Sequence, residues 1–434
     1  MPREIIDLSP PQERAVLVGA PLKRGTGKLL VQEHLEELGR LADTAGALVV
    51  GTLTQQLERP DSATYIGSGK LEELKELIAE RQATVVIFDD ELTPAQGKNL
   101  EQALTKRVID RAELILDIFA LRARTAEAKM QVELAQLEYS LPRLTRLWTH
   151  LEKFRGGIGV RGPGETQLET DRRLVGHRIR LLKERLAEVA KSREVQRKQR
   201  RSQFRVALVG YTNAGKSSIL KGLSQAPDVF VEDRLFATLD PLTREVSLGT
   251  GRGTEVLLTD TVGFIRKLPH DLVASFRATL EETREADVLL HVIDASHPTW
   301  EEQRIVVDEV LVELGAHETP VVHVFNKIDR LDAAHVQALR ERMDNLLPGS
   351  VFASAVAPGG LDTLRERMQR ERQGRRPIVR LRLSPTDGRR LADVHRSAEV
   401  VRQVMDEETG DLILDVRADA GTLARFDAAA ARDA

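Results

Sequence analysis

The sequence predicts an α/β protein whose largest domain is a doubly wound parallel sheet. Three observations predict it. Apolar strand-like runs alternate with amphipathic helical runs over residues 13–120 and again over 204–373. In the second region, a glycine-bracketed turn joins the first strand to a helix. Residues 112–203 instead repeat apolar side chains at spacings of three and four, which is typical of long helices. We therefore predict domains at 1–120, 121–203, 204–373 and 374–434.

The first domain reads as a small α/β domain. Its expected strands lie at 15–19, 48–53, 83–88 and 107–109, and its expected helices at 35–41, 71–78 and 94–104. The loop Gly67–Lys70 opens a helix and is either a plain capped turn or a phosphate-holding loop. It lacks the spacing of known phosphate loops, which favours the capped turn.

The second domain reads as an antiparallel hairpin of two helices. Apolar residues from Met130 to Leu151 mark one helix, bent at Pro142, and those from Leu168 to Val189 mark another. Between them, residues 154–165 are too rich in glycine for a helix. We expect this stretch to form a loop at one end of the hairpin.

The hairpin region is strongly basic. Residues 141–205 contain eighteen Lys and Arg against seven Asp and Glu, although the whole chain has a net charge of −3. This imbalance indicates a polyanionic partner. Glycine allows close backbone approach and arginine can clamp phosphates or stack on bases, so Arg155, Gly157 and Arg161 are predicted RNA contacts. The alternative is a hinge beside solvated helix faces.

The third domain begins with a phosphate-binding signature. Residues 210–217 read G-x-x-x-x-G-K-S between an apolar strand and a helix, which is the P-loop pattern. Its glycines let backbone N–H groups converge on phosphate oxygens at a helix N-terminus. Lys216 adds a positive charge, and the Ser217 hydroxyl is a suitable Mg²⁺ ligand.

Two later stretches predict guanine as the base. Asn326, Lys327, Ile328 and Asp329 follow an apolar strand, and a carboxylate at Asp329 can accept both N1–H and N2–H of guanine. Adenine offers no such donor pair, so the carboxylate would lose its partners. The backbone N–H of Ala355, between Ser354 and Val356, can donate to guanine O6. GTP is therefore the expected substrate and GDP the product.

Two stretches are predicted to sense the γ-phosphate. Asp260, Thr261, Val262 and Gly263 end a strand, where the carboxylate can hold Mg²⁺ through water and the Gly263 N–H can meet the phosphate. Thr238 is expected to reach Mg²⁺ only in the triphosphate state, and we prefer it to Thr243. Lys216, Thr238 and Gly263 are the predicted catalytic residues.

Phenylalanine stands at position 264, where many GTPases carry a glutamine that orients the attacking water. Its side chain cannot form that hydrogen bond, so unaided hydrolysis should be slow. Stimulation must come from a partner, a monovalent cation such as K⁺, or both. Asn213 either ligates such a cation or only braces the loop.

These residues together resemble the HflX family of ribosome-associated GTPases. The resemblance rests on GYTNAGKS at 210–217, LFATLDP at 235–241, DTVGF at 260–264 and GGIGVRGPGETQLE at 156–169. It implies that the chain binds the large (50S) ribosomal subunit and its rRNA and splits stalled ribosomes under stress. It also implies Ser217 and Thr238 as Mg²⁺ ligands. The implied nucleotide contacts are Gly210, Tyr211, Thr212, Asn213, Ala214, Gly215, Lys216, Ser217, Phe236, Ala237, Thr238, Leu239, Asp240, Asp260, Thr261, Val262, Gly263, Asn326, Lys327, Ile328, Asp329, Ser354, Ala355 and Val356.

Composition excludes several classes of function. The chain has no cysteine, so it has no disulfides, thiolate catalysis or cysteine zinc sites. Its apolar runs are too short to span a membrane, and we expect a cytoplasmic monomer. The fourth domain is expected to be a small α/β unit with a strand at 378–383, a helix at 389–405 and a strand at 411–416.

Two rival functions stay open on the sequence alone. One is ATP-driven remodelling of RNA by the first domain, which would depend on Lys70 rather than Lys216. The other is a passive RNA-binding assembly factor for which GTP is only a structural ligand. Neither rival function would require GTP hydrolysis, whereas the main prediction does.

Overall fold

The computed structural model describes residues 12–23, 30–146, 163–198, 203–224, 234–249, 255–268, 282–374, 378–406, 409–418, 422 and 426. The chain divides into two compact units by its internal contacts. The first unit comprises residues 1–190 with the short segments 233–240 and 266–277. The second unit comprises residues 191–232, 241–265 and 278–434.

The first unit contains a four-stranded parallel sheet in the order β2-β1-β3-β4. Its strands are β1 (Arg14–Gly19), β2 (Leu48–Thr54), β3 (Val85–Phe88) and β4 (Arg107–Asp110). The helices are α1 (Val31–Thr44), α2 (Ser68–Arg81), α3 (Pro94–Leu104) and α4 (Arg111–Arg122). This alternation confirms the predicted α/β pattern of residues 13–120.

Local sequence explains where these helices begin. The Thr93 side chain accepts from the Gln96 amide while the Gln96 side chain accepts from the Thr93 amide, a reciprocal capping box ahead of α3. Pro94 follows, at a position where a missing N–H costs nothing. The Asp110 carboxylate caps α4 by accepting from the Glu113 amide.

Two further helices follow in the first unit. Helix α5 (Ala126–Ser140) ends before a 3-10 helix (Leu141–Arg146), and α6 runs over Pro163–Lys198. The predicted single helix from Met130 to Leu151 is wrong over residues 141–146, which form the 3-10 helix where Pro142 has no N–H to donate, and residues 147–151 lie outside the described residues. Residues 163–165, predicted as part of the loop, belong instead to α6, which Pro163 begins at a position that suits proline.

Helices α5 and α6 pack through apolar side chains, with Leu134, Ile179 and Leu182 buried between them. Ion pairs join Glu133 to Arg178 and Glu138 to Lys183. The predicted RNA contacts Arg155, Gly157 and Arg161 lie outside the described residues. Each of the two ion pairs joins residues 45 positions apart, so α5 and α6 run in the same direction along this contact, and the predicted antiparallel course is wrong there.

The second unit contains a six-stranded sheet in the order β10-β9-β8-β5-β7-β6, parallel except for the β6–β7 pair. The strands are β5 (Arg205–Gly210), β6 (Leu242–Ser247), β7 (Glu255–Asp260), β8 (Val288–Asp294), β9 (Val321–Asn326) and β10 (Val351–Phe352). Its helices are α7 (Lys216–Ser224), α8 (Trp300–Glu313), α9 (Ala333–Leu346) and α10 (Asp362–Gly374). Because β5 lies inside the sheet, the loop after it opens at the edge where parallel strands end.

The end of the chain forms a small antiparallel sheet, β11-β13-β12. It comprises β11 (Ile378–Leu383), α11 (Gly388–Ser397), β12 (Glu399–Met405) and β13 (Leu412–Arg417). The predicted helix at 389–405 is wrong beyond Ser397. Three valines in EVVRQVM favour a strand, and pairing with β13 supplies the backbone partners that a helix would otherwise provide.

Among the described residues, no helix is both long and apolar enough to cross a bilayer.

Candidate nucleotide-binding site

The P-loop lies between β5 and α7. Lys216 is 6% exposed, and its ammonium donates to the carbonyl oxygens of Gly210 at 3.0 Å and Tyr211 at 2.8 Å. Burial lowers the pKa of Lys216 from 10.5 to about 8. The charge is therefore held at the first turn of α7, where backbone N–H groups also point outward.

Two glycines around this lysine are required by close packing. Gly215 has a φ of +97°, and a Cβ there would lie 2.3 Å from Nδ2 of Asn326. A Cβ on Gly263 would lie 2.7 Å from Cα of Thr212 and 3.1 Å from Nζ of Lys216. The structure thus brings the predicted phosphate sensor Gly263 beside the P-loop lysine.

The residues for a magnesium site are also close together. The Ser217 hydroxyl donates to Oδ2 of Asp260 at 2.6 Å, and Asp260 is fully buried at the end of β7. A hard divalent cation prefers oxygen ligands such as these. Ser217 and Asp260 therefore fit Mg²⁺, with the hydroxyl as ligand and the carboxylate beside it.

The predicted guanine loop is tied to the P-loop by two side chains. Asn326 donates from Nδ2 to the Ala214 carbonyl at 2.9 Å and accepts at Oδ1 from the Ala355 amide at 3.2 Å. Lys327 donates to the Asn213 carbonyl at 2.7 Å and pairs with Asp294 at 2.8 Å. These bonds join three loops at the carboxyl edge of the sheet.

The carboxylate predicted to read the base lies at the open side of this arrangement. Asp329 is exposed, and its Oδ1 accepts from the Ser354 hydroxyl at 2.5 Å. Ser354 is buried and also accepts from the Ala357 amide at 3.0 Å. Val356 is 77% exposed. The oriented Asp329 carboxylate suits hydrogen bonding to the edge of a planar base. The exposed Val356 side chain suits contact with the face of that base.

The residues after β7 are held by the sheet. The Thr261 hydroxyl donates to the Leu208 carbonyl at 2.6 Å, and the Val262 side chain is buried. The Phe264 amide donates to the Gly210 carbonyl at 3.1 Å, and its carbonyl accepts from Thr212 at 2.7 Å. The Phe264 side chain itself is fully buried, so it leaves no polar group to orient water.

Thr243, the alternative to Thr238, lies on β6. Its hydroxyl is 2.9 Å from that of Thr259 on β7. This contact commits the Thr243 hydroxyl to the pairing of two strands, and the choice of Thr238 stays a prediction.

The segment 236–240 belongs by its contacts to the first unit. Phe236 is 1% exposed and packs edge-to-face on Phe119, with ring centroids 4.8 Å apart. The Asp240 carboxylate accepts from the amides of Arg124 and Thr125 at 3.2 and 3.3 Å, and from the Thr125 hydroxyl. Nucleotide contact by Phe236, Ala237, Thr238, Leu239 and Asp240 stays a prediction.

A buried ionic cluster in the first unit was missed by sequence reasoning. Asp89, at the end of β3, pairs with Arg111 at 2.8 Å, Arg266 at 3.0 Å and Lys267 at 2.9 Å, and Arg111 also bonds Glu37. Although burial opposes it, these three cations hold the pKa of Asp89 well below its usual range. The only sequence signal was an acidic pair, Asp89 and Asp90, at the end of an apolar strand.

The Gly67–Lys70 stretch is the start of α2, with Gly67 as an N-cap residue that makes no side-chain capping hydrogen bond. The Gly67 amide donates to the Gln55 side chain at 3.0 Å, and Lys70 pairs with Glu73 at 2.6 Å. Its lysine is therefore neutralised one turn along its own helix.

Comparison with known proteins identifies the family. Three family models match, described as GTP-binding GTPase N-terminal over residues 32–120, GTP-binding GTPase Middle Region over 122–200 and 50S ribosome-binding GTPase over 205–327. The chain is 51% identical over 367 residues to GTPase HflX of Caldanaerobacter subterraneus, covering 84% of this chain and 82% of the relative. It is 45% identical over 387 residues to GTPase HflX of Escherichia coli, covering 89% of each.

Among solved structures, a GTP-binding protein from the archaeon Sulfolobus solfataricus in complex with GDP aligns with a TM-score of 0.44. The two sequences are 25% identical, and the alignment covers 83% of this chain and 98% of that one. Together with the P-loop geometry, the close identity to two GTPase HflX sequences over most of their length settles the assignment. The chain belongs to the HflX family of GTPases and is a GTP hydrolase.

Proposed function

We propose that this GTPase binds the large ribosomal subunit in its GTP state, splits stalled 70S ribosomes under stress, and leaves after hydrolysis. The observation that carries the proposal is the surface of α6. There Arg172, Arg173, Arg180 and Arg185 are exposed, within the segment that has eighteen basic residues against seven acidic ones. Exposed arginines on one helix suit the phosphates of rRNA. The family model over 205–327, described as 50S ribosome-binding, supports the same partner.

Different residues of the pocket would bind the phosphates, the base and Mg²⁺ and sense the γ-phosphate. Lys216 and the P-loop amides bind the outer phosphates, while Asp329 reads the guanine edge and Asn326 holds the loops around it. Ser217 and Asp260 would hold Mg²⁺, which supplies charge neutralisation on the phosphates. Thr238 and Gly263 would report loss of the γ-phosphate. We place this cycle in the cytoplasm, in a monomer.

Hydrolysis should be slow until the ribosome or a monovalent cation assists. The buried Phe264 supports this, because it cannot orient the attacking water. Either the ribosome or the cation has to complete the catalytic environment, and completion on the ribosome would couple release to the correct complex.

Sedimentation of 70S ribosomes tests the proposal. Purified protein is mixed with 70S particles and with GTP, GDP or a non-hydrolysable GTP analogue, and the gradient fractions are analysed. We expect free 50S and 30S subunits with GTP and the analogue, and protein retained on 50S only with the analogue. Equal cosedimentation with all three nucleotides, or intact 70S in every gradient, would refute it.

Charge variants test whether the exposed arginines of α6 bind the 50S subunit. Substitution of Arg172 and Arg173 by Ala should weaken 50S binding without changing GTP affinity, because those side chains lie outside the pocket. A matched control replaces Arg389 and Arg396, which are exposed on α11, and removes the same charge. A second variant, Arg155→Ala with Arg161→Ala, tests the glycine-rich loop. Equal loss from the control pair would show a general charge effect instead.

A further inference from the structure

Three side chains in the second unit converge away from the P-loop. His291 lies on β8 and His323 on β9, and the two residues are paired in the parallel register of these strands. Directly paired residues point to the same face of a sheet, and their ring centroids are 5.4 Å apart. Asp308, on α8, approaches from above that face, with Oδ1 3.4 Å from Nδ1 of His291.

These groups have the spacing of metal ligands. Among the described residues, His291, His323 and Asp308 each offer one ligand atom, and the three atoms lie within 4.8 Å of one another. Two imidazole nitrogens and one carboxylate oxygen form a ligand set that zinc and related transition metals accept. Neither the P-loop chemistry nor the base-reading loop uses any of them.

The protonation states also suit metal binding. Burial lowers the pKa of His291, and burial together with His291 lowers the pKa of His323 to about 4. Both rings are therefore neutral near pH 7 and keep a lone pair for a metal. Although partial burial opposes it, His291 and Arg304 lower the pKa of Asp308, which is ionised.

Arg304 orients the carboxylate. Its guanidinium pairs with Oδ2 of Asp308 at 2.5 Å, four residues away on the same helix, while Oδ1 faces His291. An outer partner that fixes one carboxylate oxygen and leaves the other toward the centre is typical of metal sites. The Nδ1 atom of His291 is buried and has no well-aligned hydrogen bond, although Asp308 is near.

We propose that His291, His323 and Asp308 bind one divalent transition metal ion, Zn²⁺ foremost, with water completing the coordination. Zinc lies about 2.0–2.1 Å from nitrogen and oxygen ligands, so the three atoms must close to roughly 3.4 Å apart. His291 is fixed in the sheet, whereas His323 and Asp308 are partly exposed and can rotate. The exposed side also provides the entry path. The ion would fasten α8 to the central strands β8 and β9.

The experiment measures Zn²⁺ binding to the full chain without nucleotide. Protein stripped with EDTA is titrated with ZnCl₂ by calorimetry in excess Mg²⁺, which occupies oxygen-only sites, and Co²⁺ is added separately for its visible spectrum. We expect one ion per chain, a higher melting temperature with Zn²⁺, and Co²⁺ bands of a low-coordinate nitrogen and oxygen site.

Variants locate the ion. Asp308→Asn and His323→Gln lie at partly exposed positions and should weaken Zn²⁺ binding at least about tenfold, a loss that even outer-shell changes can cause. His335→Gln is the matched control, because it removes an exposed histidine that pairs with Asp332 elsewhere in the same unit. Absence of one-to-one binding in the parent protein overturns the proposal. So does equal binding by the parent and by both cluster variants.

Discussion

We predict that the choice of base depends on a single carboxylate, Asp329. Changing Asp329 to Asn replaces one acceptor with a donor, which mismatches guanine N2–H but can bond the O2 carbonyl of xanthine. We expect GTP affinity to fall by about 10–100-fold, which is roughly 1.4–3 kcal/mol, and XTP affinity to rise. Competition binding of GTP and XTP measures both. An unchanged preference for GTP would remove Asp329 from base recognition.

The charge of Lys216 makes GTP binding depend on pH. Burial lowers its pKa to about 8 in the free protein, and a bound triphosphate should raise it again. Binding then takes up a proton above pH 8, so affinity should be flat between pH 6.5 and 7.5 and fall toward tenfold per unit above 8. Titrations from pH 6.5 to 9 measure this.

The control for that titration is Lys216→Arg, whose guanidinium does not titrate in this range. It should bind GTP more weakly but without the decline between pH 7.5 and 8.5. The same slope in both proteins would assign the effect to another group.

Asn213 is the residue that we predict either ligates K⁺ or only braces the loop. Its backbone has a φ of +60°, and its carbonyl accepts from Lys327, so the residue braces the loop in the structure. If its side chain also ligates a cation, GTP hydrolysis should be faster in K⁺ than in Na⁺, and Asn213→Ala should abolish that difference. Steady-state phosphate release in matched salts measures it, and rates indifferent to the cation would leave only the bracing role.

Sequence reasoning can predict a residue's place in the site when that place depends on neighbours in the chain. Lys216 and Ser217 follow from the glycine spacing, and the proximity of Ser217 to Asp260 follows from adjacent strand ends. It failed for Arg111, whose partners Glu37 and Asp89 are 74 and 22 positions away. No periodicity reports such a pairing, because two helices, α1 and α4, and the end of strand β3 bring the charges together.

At the scale of elements, the Asp89 cluster holds the segment containing Arg266 and Lys267 at the end of β3. Replacement by Asn leaves the 1%-exposed Arg111 with a weaker partner, and breaking a buried pair costs about 3–5 kcal/mol. We expect Asp89→Asn to lower stability by an amount of that order, as measured by urea unfolding. Glu73→Gln, which breaks the exposed pair with Lys70, should cost under about 1 kcal/mol.

The sign of the pH effect follows from the same cluster. Because the folded pKa of Asp89 is depressed, its contribution to stability is complete above the unfolded pKa and is lost as pH falls below it. The difference between the parent protein and Asp89→Asn should therefore shrink on acidification from pH 7 toward pH 3. A constant difference would contradict an ionic role.

Helix and strand boundaries show where local patterns are insufficient. The α/β alternation of both sheets could be predicted, because buried strands and amphipathic helices have distinct periods. Residues 399–405 could not, since valine spacing there fits either a helix or a strand. The antiparallel partner β13 decides the outcome, and it lies beyond the window of any local pattern.

At the scale of the whole molecule, the described contacts do not follow the simple order of the chain. Residues 233–240 and 266–277 group with residues 1–190, although they lie within the sequence of the nucleotide-binding region. The four-domain division from sequence assumed contiguous segments and could not anticipate this. These segments group with the first unit because their side chains have partners there. Phe236 packs on Phe119, and Arg266 bonds Asp89.

The bonds made by Asp240 have a mechanical consequence. Its carboxylate accepts three hydrogen bonds from Arg124 and Thr125, immediately before α5 begins. If the segment containing Asp240 moved away, these hydrogen bonds would be lost and the first turn of α5 would be less stable. If the nucleotide cycle moves this segment, the hydrogen bonds to Asp240 would break and re-form, and the order of the first turn of α5 would change with them.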